Sequence, residues 1–383
     1  MPDRAASGGA RAGACIRVLA PGEPGRQLHR AEGGETVTDQ AVHVAPAETA
    51  EPARNGPHTP LLSVRNLVQE YVTRGPGGIK TGVVHAVSDV SFDLMPGETL
   101  GIVGETGSGK STLARAVIQV ETPKSGTVRF QGRDLVGMSK REITKVRADM
   151  QMVYQDPFGS LNPRWRVADV IAEPLLGHTS MTREQRAERV DELLDLVGLR
   201  PETYRHRRPL ELSGGQAQRV AIARAVAPGP SLIICDEATS SLDVLIRAQV
   251  LNLFEKLREE FNLAYMFIAH DLATVKRVSD RVAVMHLGQL AESGPVEQIY
   301  AAPRHPYTRA LLDSVPVLDT MTGVVKRPVA LPGEPPSPLN PPSGCRFRTR
   351  CPRAEDLCAQ EEPVRTRVSD RHTVACHFPL TPA

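Results

Sequence analysis

Residues 104–111 read Gly104-Glu105-Thr106-Gly107-Ser108-Gly109-Lys110-Ser111, which fills every fixed position of the phosphate-cradling pattern G-x-x-x-x-G-K-[ST]. The flanks supply the context that this pattern requires. Thr99-Leu100-Gly101-Ile102-Val103 is an apolar run suited to a buried strand. Thr112 to Val120 lacks a helix breaker and repeats apolar side chains at Leu113, Ala116, Val117 and Val120. Gly104, Gly107 and Gly109 free the backbone so that successive N–H groups of the loop, through Ser108 and on to Ser111 and Thr112, can face phosphate oxygens at the positive end of the helix dipole. Lys110 is then placed to reach β- and γ-phosphates, and the Ser111 hydroxyl to ligate Mg²⁺.

The 383 residues suffice for one large core and an accessory domain. Their 46 Lys+Arg nearly balance 44 Asp+Glu, so no general basic field calls for nucleic acid or an anionic membrane. No apolar stretch approaches bilayer-spanning length, and the first thirty residues hold charges and prolines without a secretory-type apolar segment. A soluble, cytosolic chain is expected. Residues 1–59, rich in Ala, Gly, Pro, Glu and Arg, cannot bury enough surface to offset chain entropy, and they read as a disordered tail. A start codon assigned too far upstream accounts for the same stretch.

From Leu61 the pattern changes to β-rich runs, Leu61 to Leu67 and Val83 to Leu94, joined by the turn Gly75 to Gly78. After Ala168 it becomes helical, with Val190, Leu193, Leu194 and Val197 on one face and Gly198 closing the helix. Strands return at Leu232 to Cys235, Tyr265 to Ala269 and Val282 to His286, each apolar at almost every position. Such strands alternating with helices imply an α/β fold with a mainly parallel sheet covered on both faces. Pro328 to Pro342 reads as an extended spacer before a small cysteine-bearing module.

Two further elements bear on the phosphate loop. Ile233-Ile234-Cys235 is a strand that ends in Asp236-Glu237, whose alternating directions assign Asp236 to the Mg²⁺ shell and Glu237 to a water attacking the γ-phosphate. Leu212-Ser213-Gly214-Gly215-Gln216 precedes a helix through Val220, Ala223 and Val226, so its free N–H groups make a second anion site, with Ser213 also suited to cap that helix. One phosphate loop cannot use both.

With these residues the chain resembles the ATP-binding subunits of ABC transporters over about Leu61 to Phe378, through LSGGQ at 212–216 and Asp-Glu-Ala-Thr-Ser-Ser-Leu-Asp at 236–243. The resemblance implies a P-loop NTPase cassette at 60–302, with an antiparallel β subdomain and a helical subdomain at about 156–228. It also implies a head-to-tail dimer in which Ser213, Gly214, Gly215 and Gln216 of one subunit close over ATP on the other. By the same resemblance Gln155 contacts Mg²⁺ and the attacking water, His270 is the switch histidine near the γ-phosphate, and Asp243 crosses the dimer interface. Tyr71 is matched to the aromatic that stacks on adenine, with His85 the competing choice. Ala238 departs from the proline common after the catalytic Glu, removing a backbone constraint and no reacting group.

Four of the six cysteines, Cys345, Cys351, Cys358 and Cys376, lie near the C-terminus. A reducing compartment argues against disulfides, and four thiolates suit Zn²⁺ or an iron–sulfur cluster, with His372 and His377 as alternative ligands. Arg304-His305-Pro306-Tyr307-Thr308, the proline-rich run 333–342 and Asp156 to Arg164 resemble the dipeptide/oligopeptide branch of ABC importers, whose C-terminal extension would here span 303–383. Relatives of that branch carry a [4Fe–4S] site, which favours the cluster over zinc. The branch implies an ATPase at the cytoplasmic membrane face, working with two permease subunits, a second and different ATPase, and a substrate-binding protein. Nickel and other small solutes are the alternative cargoes; non-transport ABC proteins and exporters are disfavoured by the single cassette and the absence of fused spans.

Overall fold

The computed structural model describes residues 59–315, 317–318, 325–326 and 333–381. The expected tail, apart from Thr59, and the first part of the proline-rich spacer lie outside the described residues.

Two sheets organise the fold. The first is antiparallel, in order β2-β1-β4-β5, from β1 (Leu62–Arg74), β2 (Lys80–Leu94), β4 (Ser125–Phe130) and β5 (Arg133–Asp134). The second contains β3 (Thr99–Val103), β6 (Met150–Val153), β7 (Leu232–Asp236), β8 (Ala264–Ile268) and β9 (Arg281–His286), parallel in the order β6-β7-β8-β3-β9. Successive side chains of these strands enter different cores. Ile233, Cys235, Tyr265, Phe267, Val282 and Val284 pack with the helices of one face, whereas Leu232, Ile234, Met266, Ile268, Ala283 and Met285 pack with α1 (Lys110–Val117) and the antiparallel sheet. This double burial is why the strands read as unbroken apolar runs.

The helical part runs through α2 (Lys140–Val146), α3 (Pro157–Ser160), α4 (Val167–His178), α5 (Arg183–Leu196), α6 (Pro201–Tyr204) and α7 (Gly214–Val226), followed by α8 (Val244–Phe261) and α9 (Leu272–Val278). One expectation is shortened: α1 stops at Val117, because Gln119 adopts φ 57° and closes the turn, leaving Val120 exposed.

Beyond β9 the chain returns as β10 (Gln289–Pro295), antiparallel to β9, then forms α10 (Val296–Ala301) and α11 (Pro306–Asp313). A two-residue pair, β11 (Val317–Leu318) with β12 (Val325–Lys326), and the short α12 (Leu357–Gln360) precede the last hairpin, β13 (Arg365–Ser369) and β14 (His372–Ala375). That hairpin docks on β10 and extends the core sheet to eight strands. A buried carboxylate secures the join: Glu292 accepts from the backbone N–H groups of Arg304 (2.7 Å) and His305 (2.9 Å) and lies 2.8 Å from His372 Nε2. Its charge is thereby matched by three partners inside the protein.

Above this join, Tyr307, Phe347, His286 and His305 form an aromatic cluster with ring centroids 4.4–6.5 Å apart. His305 caps α11 by accepting from Tyr307 N–H through Nδ1 at 3.0 Å. Burial pushes the pKa of both His286 and His305 down to about 4. Unfolded histidine titrates near 6.5, so between pH 6.5 and 4 the unfolded chain binds more protons and stability falls as pH falls. Each histidine is expected to contribute a loss of about 3 kcal/mol over that window. Urea unfolding at stepped pH should show it, and His305→Asn, which retains a cap acceptor, should remove about half of the part of the slope that the two histidines contribute.

Candidate nucleotide site

The loops leaving β3, β7 and β8 converge at the carboxyl ends of the parallel strands, where this class of sheet places its ligands. Gly109 enters α1 at φ 102°, and a Cβ there would lie 2.0 Å from the Ala86 carbonyl oxygen, so only glycine lets the loop pass β2 this closely. Lys110 is buried. Its ammonium donates to the carbonyls of Gly104 (2.8 Å) and Glu105 (3.0 Å), with Ser108 Oγ at 3.5 Å. Burial lowers its pKa, while Glu237, Asp236 and Glu105 act in the opposite direction.

Ser111 Oγ donates to Asp236 Oδ1 at 2.8 Å, joining α1 to the end of β7. Burial raises the Asp236 pKa, and the Ser111 bond opposes that rise. A hydroxyl beside a carboxylate is the kind of oxygen donor set that Mg²⁺ takes. Glu237 points elsewhere, accepting from Gln155 Nε2 at 2.9 Å and lying 3.7 Å from His270 Nδ1. The two acids diverge as expected, for a different reason: Glu237 is past the strand at φ 51°, so a left-handed turn, not strand alternation, sends its carboxylate toward Gln155 and His270. Gln155 and His270 are exposed and Glu237 is half-buried. Thus residues from the ends of β6, β7 and β8 share one polar cluster beside the phosphate loop.

Ser213 forms a full capping box with Gln216 at the start of α7: Ser213 N–H donates to Gln216 Oε1 (3.0 Å) and Gln216 N–H to Ser213 Oγ (3.4 Å). Gly214 and Gly215 follow, partly open to solvent. A Cβ on Gly215 would stand 2.5 Å from Ile246 Cγ2, so α7 begins directly against the start of α8. Asp243 caps α8 by accepting from Ile246 N–H at 2.9 Å. The LSGGQ stretch and Asp243 therefore form a neighbouring pair.

On β1, Tyr71 is half-buried, its hydroxyl bonded to Glu121 and near Thr112 of α1. The register pairs Glu70 with His85 and Tyr71 with Val84, so the two rings leave the hairpin on opposite faces. His85 Nδ1 lies 3.1 Å from Glu70 Oε1.

Cys345, Cys351, Cys358 and Cys376 line one small cavity with Phe347, Phe378 and His305. Burial raises the thiol pKa of Cys345 and Cys351, and that of Cys376 to about 11. Among the described residues no group of three or more His, Cys, Asp or Glu side chains is placed to hold a metal ion, so the expected four-thiolate metal is not supported by the arrangement found. Of the histidines offered as alternative ligands, His372 is engaged with Glu292, and His377 lines the cavity with its Nε2 at 3.0 Å from the Glu361 carbonyl.

Sequence reasoning missed two side chains that hold the phosphate loop. Arg350 pairs with the Glu105 carboxylate through both guanidinium nitrogens, at 2.7 and 3.0 Å, and Glu105 N–H donates to Tyr307 Oη at 3.0 Å. Tyr307 stood in a quoted stretch without a role; Arg350 lies 245 positions from its partner and carried no signal.

Comparison with known proteins agrees with this geometry. Residues 87–240 match the ABC transporter family, and residues 291–358 match the oligopeptide/dipeptide transporter C-terminal region. The chain is 50% identical to the oligopeptide transport ATP-binding protein AppF of Bacillus subtilis over 83% of its own length and 97% of that protein. The chain belongs to the ATP-binding proteins of the oligopeptide/dipeptide ABC transporters. It is an ATPase of the ABC cassette fold. The di/tripeptide transport ATP-binding protein DppF of Pseudomonas aeruginosa is 48% identical over 83% of this chain and 97% of that one. Among solved structures, the dimeric ATP-binding cassette MJ0796 bound to ADP and Pi superposes with TM-score 0.55 at 28% identity, over 61% of this chain and 98% of that one.

Replacing Lys110 by Ala removes the cation held at the centre of the loop. Mg-ATP turnover is expected to fall roughly 10²-fold or more, and equilibrium nucleotide binding together with phosphate-release kinetics will measure it.

Proposed function

We propose that this chain is the ATP-hydrolysing subunit that energises import of dipeptides and oligopeptides through partner permeases. The observation that carries the reading is the union, in one chain, of a hydrolytic cluster at 104–111, 155, 236–237 and 270 with an oligopeptide/dipeptide C-terminal region at 291–358. The named relatives, all peptide transport proteins, favour peptides over nickel as cargo.

In this reading the loop N–H groups of Gly107, Ser108, Gly109, Lys110, Ser111 and Thr112 bind the phosphates, and Tyr71, on the face shared with Thr112, stacks on adenine in preference to His85. Ser111, Asp236 and Gln155 would hold Mg²⁺, which neutralises phosphate charge when bound. Glu237, kept in place by Gln155 and His270, orients and deprotonates the attacking water, and Lys110 stabilises the charge that develops on the γ-phosphate. Ser213 to Gln216, with Asp243 beside them, serve the phosphate loop of a second ATPase subunit across a head-to-tail contact. A heterodimer, two permeases, a substrate-binding protein and a position at the cytoplasmic membrane face complete the assembly; among the described residues no helix is long and apolar enough to cross a membrane.

The four thiols add a finer expectation. Their convergence on one cavity suits a [4Fe–4S] cluster or Zn²⁺ as a donor set, but a resident metal would require them to rearrange from the positions found. Iron, sulfide and zinc analysis after anaerobic purification decides this, and metal-free, fully folded protein rules it out.

Glu237→Gln is expected to keep ATP affinity, lose hydrolysis by roughly 10²-fold or more, and accumulate an ATP-bound dimer visible by size exclusion. Wild-type protein co-purified with its permease pair and second ATPase subunit, and supplied with the substrate-binding protein, should show peptide-stimulated ATP hydrolysis. Hydrolysis by Glu237→Gln at the normal rate would refute the role given to that carboxylate, and indifference to peptide would refute the cargo.

A further inference from the structure

We infer that Arg350, from the C-terminal region, is a positioning residue for the phosphate loop: it neutralises the Glu105 carboxylate and holds it away from the bound ATP phosphates. The inference rests on the ATP site described above and concerns how that site is kept usable.

Glu105 places a carboxylate in a cradle suited to a polyanion. It follows Gly104 directly, its backbone carbonyl accepts from Lys110 Nζ, and its charge bears on that ammonium. A free carboxylate here has two harmful options: adding negative charge beside the triphosphate, or pairing with Lys110 in its place. The structure blocks both. Arg350 grips both Glu105 oxygens, at 2.7 and 3.0 Å, through a guanidinium whose side chain is only 4% exposed. Tyr307 Oη accepts from the Glu105 N–H at 3.0 Å and fixes the backbone at the same point. Among the described residues, His286, with Nδ1 3.9 Å from Glu105 Oε2 and kept neutral by burial, Tyr307 and Lys110 also face Glu105.

Arg350 is itself held firmly. It lies in a compact run of turns pinned by Cys345 N–H to the Cys358 carbonyl (2.8 Å), Arg348 N–H to Cys345 (3.1 Å) and Arg350 N–H to Phe347 (3.0 Å). Phe347, 2% exposed, is packed against Tyr307 and His286, which places the turn on the cassette. A bidentate pair from so fixed a donor orients as well as neutralises its partner.

The test measures Mg-ATP affinity and the KM-against-kcat split for Arg350→Ala in the full chain, alone and combined with Glu105→Ala. Arg350→Ala should weaken ATP binding and raise KM roughly tenfold or more, the scale of an unneutralised carboxylate several ångströms from a polyanion at an effective dielectric near 20, with kcat at saturating ATP changed much less. Removing the carboxylate as well should restore most of the affinity, which a merely structural role for Arg350 would not allow. Hydrogen exchange in nucleotide-free protein should also show faster exchange at loop amides 105–109 in Arg350→Ala. Unchanged affinity, or a loss that Glu105→Ala does not relieve, overturns the inference, whereas wild-type protein that fails to bind ATP overturns the site assignment beneath it. Should Arg350→Ala fail to fold, Arg350→Gln removes the charge and keeps a hydrogen-bond donor toward Glu105. A smaller loss of the same sign, abolished by Glu105→Gln, then supports the inference, and no loss overturns it.

Discussion

The parallel strands are buried on both faces, and that constraint orders everything else. Because alternate side chains of β7, β8 and β9 must enter two separate cores, a one-residue slip would exchange the contents of those cores. Register is therefore fixed along the sheet, and with it the level at which each strand ends. Lys110 and Ser111 after β3, Asp236 and Glu237 at the end of β7, and His270 after β8 meet because their strands stop together. Polar groups that would be costly inside the sheet are gathered where the sheet gives out.

The C-terminal region is bound into this architecture. Its last hairpin adds two strands to the core sheet, and the buried Glu292 carboxylate ties β10 to His372 and to the chain entering α11. Phe347 and Tyr307 fill the space between that join and the phosphate loop. A region that reads in sequence as a module beyond a spacer thus shares a core with the cassette, and the phosphate loop is in contact with residues more than two hundred positions away.

The two acids at the end of β7 show how local geometry divides chemical work. Asp236 is still in the strand and takes the Ser111 hydroxyl; Glu237 has turned into the left-handed region and faces Gln155 and His270. Holding a non-glycine residue at φ 51° is mildly unfavourable, and such positions concentrate where a side chain must be aimed.

The phosphate loop, LSGGQ, the paired acids and the strands carrying them were legible in the sequence because each is a short-range pattern whose chemistry depends on spacing along the chain. Several strand positions were legible for the same reason, with α1 misjudged at its end, where Gln119 breaks a helix that periodicity would continue, whereas β4, β6, β10 and the β13–β14 hairpin were not read from the sequence. Residues distant in sequence had no such pattern to announce them: the opposite faces taken by Tyr71 and His85 needed the β1–β2 register, the thiols' surroundings needed the docked extension, and the Arg350–Glu105 pair needed the whole fold. Chemistry encoded in contiguous residues is fixed by the chain itself, whereas the partner each charge finds is decided only when packing brings separate segments within a few ångströms.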